Sequence, residues 1–248
     1  MDSVTPAVAL DAVSKSFGAT AVLDGITATV REGEFVAVIG PSGSGKSTLF
    51  NILAGLEMPT TGTVSVAGRG AYMPQKDLLF PWRTVLDNTI LGLEVAGMRR
   101  REARARAREL FGVFGLAGFE DARPAQLSGG MRQRAALLRT VVQEREVLLL
   151  DEPFGALDSL TRTDMHTWLQ RVWLEPDRHS ARTALMITHD IREALFLADR
   201  VLVLSPRPAH IVADLAVALP RPRELDTLTA PEFVAFEHEL IEVLHRHR

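Results

Sequence analysis

The chain contains no cysteine, so neither a disulfide framework nor a thiolate metal site is available to it. That fits a reducing compartment. Long hydrophobic runs are missing as well. No stretch approaches the ~18–20 apolar residues that cross a bilayer, and segments such as EVLLLDEP have only strand length. The opening MDSVTPAVALDAVSKSF has an early acid and no basic stretch before an apolar run, so no secretory leader is expected. Any membrane role is therefore expected to pass through another subunit. Excess positive charge is absent too: 28 Lys and Arg face 31 Asp and Glu, a net charge of −3, which argues against nucleic-acid binding by the protein as a whole. Internal repeats and low-complexity tracts are also lacking.

What remains is an ordinary globular composition, 46% hydrophobic and 24% charged over 248 residues. The length suits one large domain, or one domain with an inserted lobe. Short apolar strands alternate with helical segments, which predicts an α/β fold with a largely parallel sheet. Ala7–Val13 and Ile26–Val30 alternate like half-buried antiparallel strands. EFVAVIG ends at Gly40 as a buried strand, and a helix is expected over Lys46–Gly55. TVSV and AYM read as two short strands before Gln75. Strand signals then stop from about Leu78 to Arg123, a segment read as an inserted helical lobe. Alternation resumes with VLLLDEP, a helix over Leu157–Leu174, TALMITH, a helix over Ile191–Leu197, and RVLVLS. The tail reads as a strand (AHIVADLAV), a Pro/Arg-rich turn and a final helix. Thr229 and Glu232 form a capping box for that helix, and Phe233, Phe236, Leu240 and Leu244 line one face.

GPSGSGKST, from Gly40 through Pro41, Ser42, Gly43, Ser44, Gly45, Lys46 and Ser47 to Thr48, lies between a predicted strand and a predicted helix. The glycines let backbone amides wrap a phosphate. Lys46 reaches the β- and γ-oxygens, and the Ser47 hydroxyl suits Mg²⁺. The strand VLLLDE delivers Asp151 and Glu152 to its C-terminal end, the edge where open α/β sheets bind ligands. Asp151 suits a Mg²⁺ partner, and Glu152 can take a proton from an attacking water. Alone, such a pair also reads as a solvated strand end; the upstream phosphate loop favours catalysis. A second anion cradle, LSGGMRQR, places Leu127, Ser128, Gly129, Gly130 and Met131 at an expected helix start, where amides carry partial positive charge.

With these motifs in this order, the chain resembles the ATP-binding cassette (ABC) family. The resemblance runs from about Val8 to Ser205 and rests on Phe17, Gly40–Thr48, Gln75, Leu127–Met131, Asp151–Glu152, GALD ending at Asp158, and His189 in ITHD. It implies a P-loop cassette over residues 1–248. Its mostly parallel core sheet would be joined by an N-terminal antiparallel β subdomain, a helical lobe over about 78–143 and a tail over about 206–248. It implies Mg²⁺ as cofactor and a head-to-tail pair of chains, the signature of one serving the ATP of the other. Phe17 would stack on adenine; a core phenylalanine is the other reading. Gln75 would contact Mg²⁺ and the lytic water, His189 would hold the γ-phosphate near Glu152, and Asp158 would couple the two sites. Met131 stands where the family usually has Gln, with the Ser-Gly-Gly core intact.

The sequence shows no membrane helices such as exporters usually fuse to the cassette, so the expectation is an importer's separate ATPase subunit or, as the alternative, a soluble ABC assembly factor. Leu79, Phe80, Pro81 and Trp82 form an apolar tip that favours the importer, where this region receives a short helix of the membrane permease; packing within the lobe's own core is the other reading. The wording around DEPFGALD and THDIREALFLADRV is most similar to the nitrate/sulfonate/taurine class, which includes relatives serving thiamine-pyrimidine precursors. The GTVSVAGRGAYMPQ stretch is shorter than is usual there. The implied partners are permease subunits and, indirectly, a periplasmic or lipid-anchored solute-binding protein, at the cytoplasmic face of the plasma membrane. Six arginines between Arg99 and Arg108, without interleaved aromatics, read as a solvated helix.

Overall fold

Two alternating apolar registers in β3 (Phe35–Ile39) organise the molecule: Phe35, Ala37 and Ile39 enter one core, while Val36 and Val38 enter another. In the computed structural model, which describes residues 6–68, 70–174 and 182–247, β3 is central in a six-stranded sheet. The order is β5 (Ala71–Met73), β6 (Val147–Asp151), β7 (Thr183–Ile187), β3, β8 (Arg200–Leu204) and β9 (Ile211–Ala216). Five strands run parallel and β9 is antiparallel to β8. Strands covered on both faces read as continuous apolar runs, which is why FVAVI and TALMI are so uniformly buried.

The second core lies under an antiparallel sheet of order β2 (Thr20–Val30), β1 (Val8–Phe17) and β4 (Thr61–Val66). β2 starts at Thr20, ahead of the expected Ile26, because Phe17 pairs with Thr20 across a tight turn at Gly18. The pairing shifts register between Val13 and Lys15, where Gly25 sits opposite with positive φ; that irregularity hides the first half of the strand from a period-two reading. α1 (Lys46–Leu53) stops at Ala54, followed by a left-handed Gly55.

The lobe holds α2 (Val85–Thr89), α3 (Leu91–Val95), α4 (Arg100–Phe111) and α5 (Gly129–Val141). α4 buries Ala103, Ala107 and Phe111, four residues apart each time. Its arginines are not simply solvated, which corrects the expectation. Arg100 meets Asp87 at 2.6 Å and Glu94 at 2.8 Å, Arg104 meets Asp87 at 2.7 Å, and Arg106 pairs with Glu144. Phe111 and Phe114 share one buried cluster with the sheet residues Phe35 and Met186, so the lobe and sheet have a continuous core.

α6 (Ser159–Leu174), α7 (Ile191–Leu197) and α8 (Pro231–Arg246) complete the helices. The expected Thr229–Glu232 capping box does not form. Ala230 is the N-cap, Pro231 opens α8, and the Thr229 hydroxyl instead donates to the Asp226 carbonyl within a short 3-10 turn. Proline suits the first helical position because its missing N–H is one no helix start can satisfy. The expected apolar face holds: Phe233 and Leu240 are buried, with Phe236 and Leu244 packed against the core. Among the described residues no helix is long and apolar enough to cross a membrane.

Candidate nucleotide site

A cavity of about 370 Å³ opens at the C-terminal edge of the parallel strands, where such sheets place their ligands. Its wall is Gly40, Ser42, Gly43, Gly45, Lys46, Ser47, Thr48, Gln75, Glu152, Ile187, His189 and Arg207. Two glycines are demanded by space: a Cβ at Gly40 would stand 2.7 Å from the Leu204 carbonyl oxygen, and one at Gly45 2.8 Å from Val22 Cγ1. β8 and β2 thus press directly on the loop and leave room for backbone alone.

Lys46, in the first turn of α1, folds back so that its ammonium donates to the Gly40 and Pro41 carbonyls at 2.9 and 2.8 Å. Burial lowers its pKa, while the nearby charges of Glu152 and Asp151 act in the opposite direction. At the end of β6, Asp151 is 2% exposed, and burial pushes its carboxyl upward against a hydrogen bond from Ser47 and the attraction of Lys46. Ser47, Asp151 and Gln75 offer hydroxyl, carboxylate and amide oxygens. Such hard donors, few in number, fit Mg²⁺, which takes one or two protein ligands and keeps phosphate oxygens and waters for the rest.

Glu152 leaves the strand with φ +49°, a left-handed backbone rarely adopted by a non-glycine residue. Gln75 Nε2 donates to Glu152 Oε2 at 3.1 Å, and His189 Nδ1 lies 3.5 Å from Glu152 Oε1. The His189 side chain is 70% exposed, held at the end of β7 and open to the cavity. The four catalytic candidates, Lys46, Gln75, Glu152 and His189, all line one cavity.

Other candidates stand apart. Phe17 is 49% exposed at the end of β1, with the Lys15 ammonium 4.7 Å from its ring centre, so the core reading of this residue is wrong. Ser128 is the N-cap of α5, its Oγ accepting from the Met131 amide at 3.2 Å. Gly129 and Gly130 follow as the first helical residues, whose amides have no preceding turn to bond. Asp158 accepts from the Thr161 amide at 3.0 Å, which together with the Thr161 side chain holds its carboxyl below the usual range. The apolar tip divides: Leu79 is buried at 8%, whereas Phe80 and Trp82 are 36% and 66% exposed with ring centres 5.0 Å apart.

Two residues of the site carry no earlier assignment. Arg207, on the β8–β9 connection, adds a cation to the cavity wall; nothing in SPRP marks it beforehand. Gln133 is nearly buried and donates from Nε2 to the Glu152 carbonyl at 2.7 Å. It lies within LSGGMRQR, but its target is visible only in three dimensions.

Residues 23–155 match the ABC transporter family. The chain is 46% identical over 208 residues to the formylaminopyrimidine import ATP-binding protein ThiZ of Halalkalibacterium halodurans, covering 83% of this chain and 82% of that one. It is 47% identical over 237 residues to an aliphatic sulfonates import ATP-binding protein of Agrobacterium fabrum, covering 94% and 81%. A dimeric ATP-binding cassette in a post-hydrolysis state, bound to ADP and Pi, superposes with a TM-score of 0.77 at 29% identity, over 86% of this chain and all of that one. Phosphate loop, acidic strand end and signature helix, assembled on this sheet and matched by these relatives, place the chain in the ABC transporter family as an ATP-hydrolysing cassette.

Proposed function

We propose that two copies of this cassette pair head to tail and energise import of a small anion or metabolite through membrane permease subunits. One observation carries the pairing. Among the described residues the cavity wall takes nothing from Leu127–Met131, so the second anion cradle faces elsewhere than the chain's own nucleotide. A second copy gives it a γ-phosphate to bind, through Ser128 and the amides of Gly129 and Gly130.

Within each composite site the chain's own groups divide the work. The loop amides and Lys46 bind the phosphates; Phe17 stacks on the base. Ser47 and Gln75, with Asp151 behind them, would hold Mg²⁺, which neutralises phosphate charge. Glu152 takes the proton of the attacking water, while His189 and Gln75 orient that water and the γ-phosphate. Asp158, exposed at the start of α6, would lie at the contact between copies.

The import-protein names of the relatives support a sulfonate-like or pyrimidine-precursor cargo. The exposed Phe80–Trp82 pair supports docking to a permease, with the cassette peripheral on the cytoplasmic face of the plasma membrane and a solute-binding protein acting indirectly. Glu152→Gln tests the site: it keeps ATP binding, loses about 10²-fold or more in turnover, and elutes as a dimer in Mg–ATP during size-exclusion chromatography. Turnover at the wild-type rate would remove Glu152 from the base role. Co-purification with soluble partners and no detergent-dependent complex would favour an assembly factor instead.

A further inference from the structure

The helix that presents the signature also grips the backbone on both sides of the chain's own cavity. Gln133, in the second turn of α5, has its amide 2.7 Å from the Glu152 carbonyl oxygen. The same oxygen accepts more weakly from the Gly155 amide at 3.3 Å, while the Glu152 amide donates to Ile187 at 3.0 Å. Glu152 is therefore held at both ends of a residue whose φ of +49° an L side chain seldom takes. Two other α5 residues hold the segment beyond Gln75. Arg132 Nε meets Asp77 Oδ2 at 3.2 Å, and Arg139 donates to the Asp77 and Leu78 carbonyls at 2.7 and 2.9 Å. At its start, α5 packs closely on the loop after Glu152: a Cβ at Gly130 would stand 3.3 Å from the Ala156 carbonyl oxygen.

We infer that Gln133 is a positioning residue, which fixes the Glu152 backbone and ties the base of one ATP site to the helix that reads the other. This rests on the head-to-tail reading and on Glu152 as the base. Anchoring the carbonyl and the amide fixes the Cα that carries the carboxylate. Release of the carbonyl by Gln133 lets that Cα shift and moves the carboxylate from the lytic position, with no contact to nucleotide lost. A seat of this kind alters the chemical step and leaves ground-state binding alone.

The test uses the full chain with Mg–ATP, measuring steady-state hydrolysis and the affinity for a fluorescent ATP analogue. Gln133→Ala is expected to lower kcat about tenfold or more, with KM and analogue affinity within about twofold of wild type. Gln133→Glu keeps the shape but donates to a carbonyl only when protonated. Its activity relative to wild type is expected to rise as pH falls from about 8 to about 6, in a buried setting that raises carboxyl pKa, while the Gln133→Ala ratio stays flat. Glu152→Gln serves as the control. Full loss there with unchanged kcat in Gln133→Ala overturns the inference alone. So does a Gln133→Glu ratio that is flat with pH, or kcat loss matched by an equal loss of nucleotide affinity. Activity surviving in Glu152→Gln would instead overturn the assignment of the base.

Discussion

At the scale of single residues, burial and charge set opposing demands at the end of β6. Asp151 is nearly inaccessible, and its carboxyl is pushed up although Ser47 and Lys46 both favour the ionised form. Desolvation wins, so the charged group destabilises the folded chain. The sign follows from linkage: a carboxyl raised above its unfolded value is harmless below the unfolded pKa and costs stability as pH rises through the folded one. Asp151→Asn, whose amide oxygen still accepts from Ser47, is expected to melt above wild type at about pH 8, with the gap closing toward about pH 4. ATPase activity should be lost at both. Differential scanning fluorimetry across pH checks it, and an Asn variant melting below wild type at alkaline pH would show that the Lys46 attraction outweighs burial. Asp151 itself was legible, since an acid ending an apolar strand marks a sheet edge; its energetic cost was not, because that depends on what covers it.

At the scale of elements, α2 is five residues long yet fixes the apolar tip. Its Asn88 is fully buried and bonds the Phe80 amide at 2.7 Å and the Phe80 and Thr84 carbonyls at 3.1 and 2.9 Å. One side chain thus closes the loop that carries Phe80 and Trp82. Asn88→Ala leaves the Phe80 amide without its partner, while the Phe80 and Thr84 carbonyls keep the Arg83 and Asn88 amides, a loss of about 1–3 kcal/mol. Its chemical-denaturation midpoint should fall, and its binding to the detergent-solubilised permease should fall further than that of Lys76→Ala, an exposed control nearby. Wild-type permease binding by a destabilised Asn88→Ala would mean the tip is not the docking element. The Pro/Arg-rich turn likewise proves structural. Arg223 is buried and donates to the carbonyls of Leu195 and Ala198 at the end of α7, with burial and Arg221 lowering its pKa to about 10. Neither Asn88 nor Arg223 could be found from spacing, because their acceptors are main-chain oxygens that any residue supplies.

At the scale of the whole molecule, the proposed head-to-tail pairing makes a single copy incomplete, since cavity and signature are separate. Lys46→Ala disables the phosphate loop, and Ser128→Arg blocks the signature with bulk and charge. Each homodimer carries two defective sites and should hydrolyse ATP slowly. A mixture forms heterodimers in which both defects share one composite site and the other is intact, so its activity should exceed that of either variant alone. Mixing curves of ATPase rate against the ratio of the two variants give the readout. Ser128→Arg hydrolysing like wild type at dilutions where only monomers exist would separate the signature from the active site.

The sequence by itself determined what depends on local pattern. A strand feeding GKST, an apolar run ending in Asp151–Glu152 and a Ser-Gly-Gly helix start each specify backbone geometry within a few residues, and their order carried the family. The apolar face of α8 was equally legible from its period. Tertiary structure alone decided the rest. It brought Gln75, His189 and Glu152 to one carboxylate, gave the Glu152 carbonyl to Gln133, added Arg207 to the cavity wall and turned the α4 arginines onto Asp87, Glu94 and Glu144. Apart from the Arg100–Glu94 pair, those contacts join residues more than ten positions apart in the chain. The physical reason is directional: a hydrogen bond needs its partner placed to within a few tenths of an ångström, and composition and period place only faces.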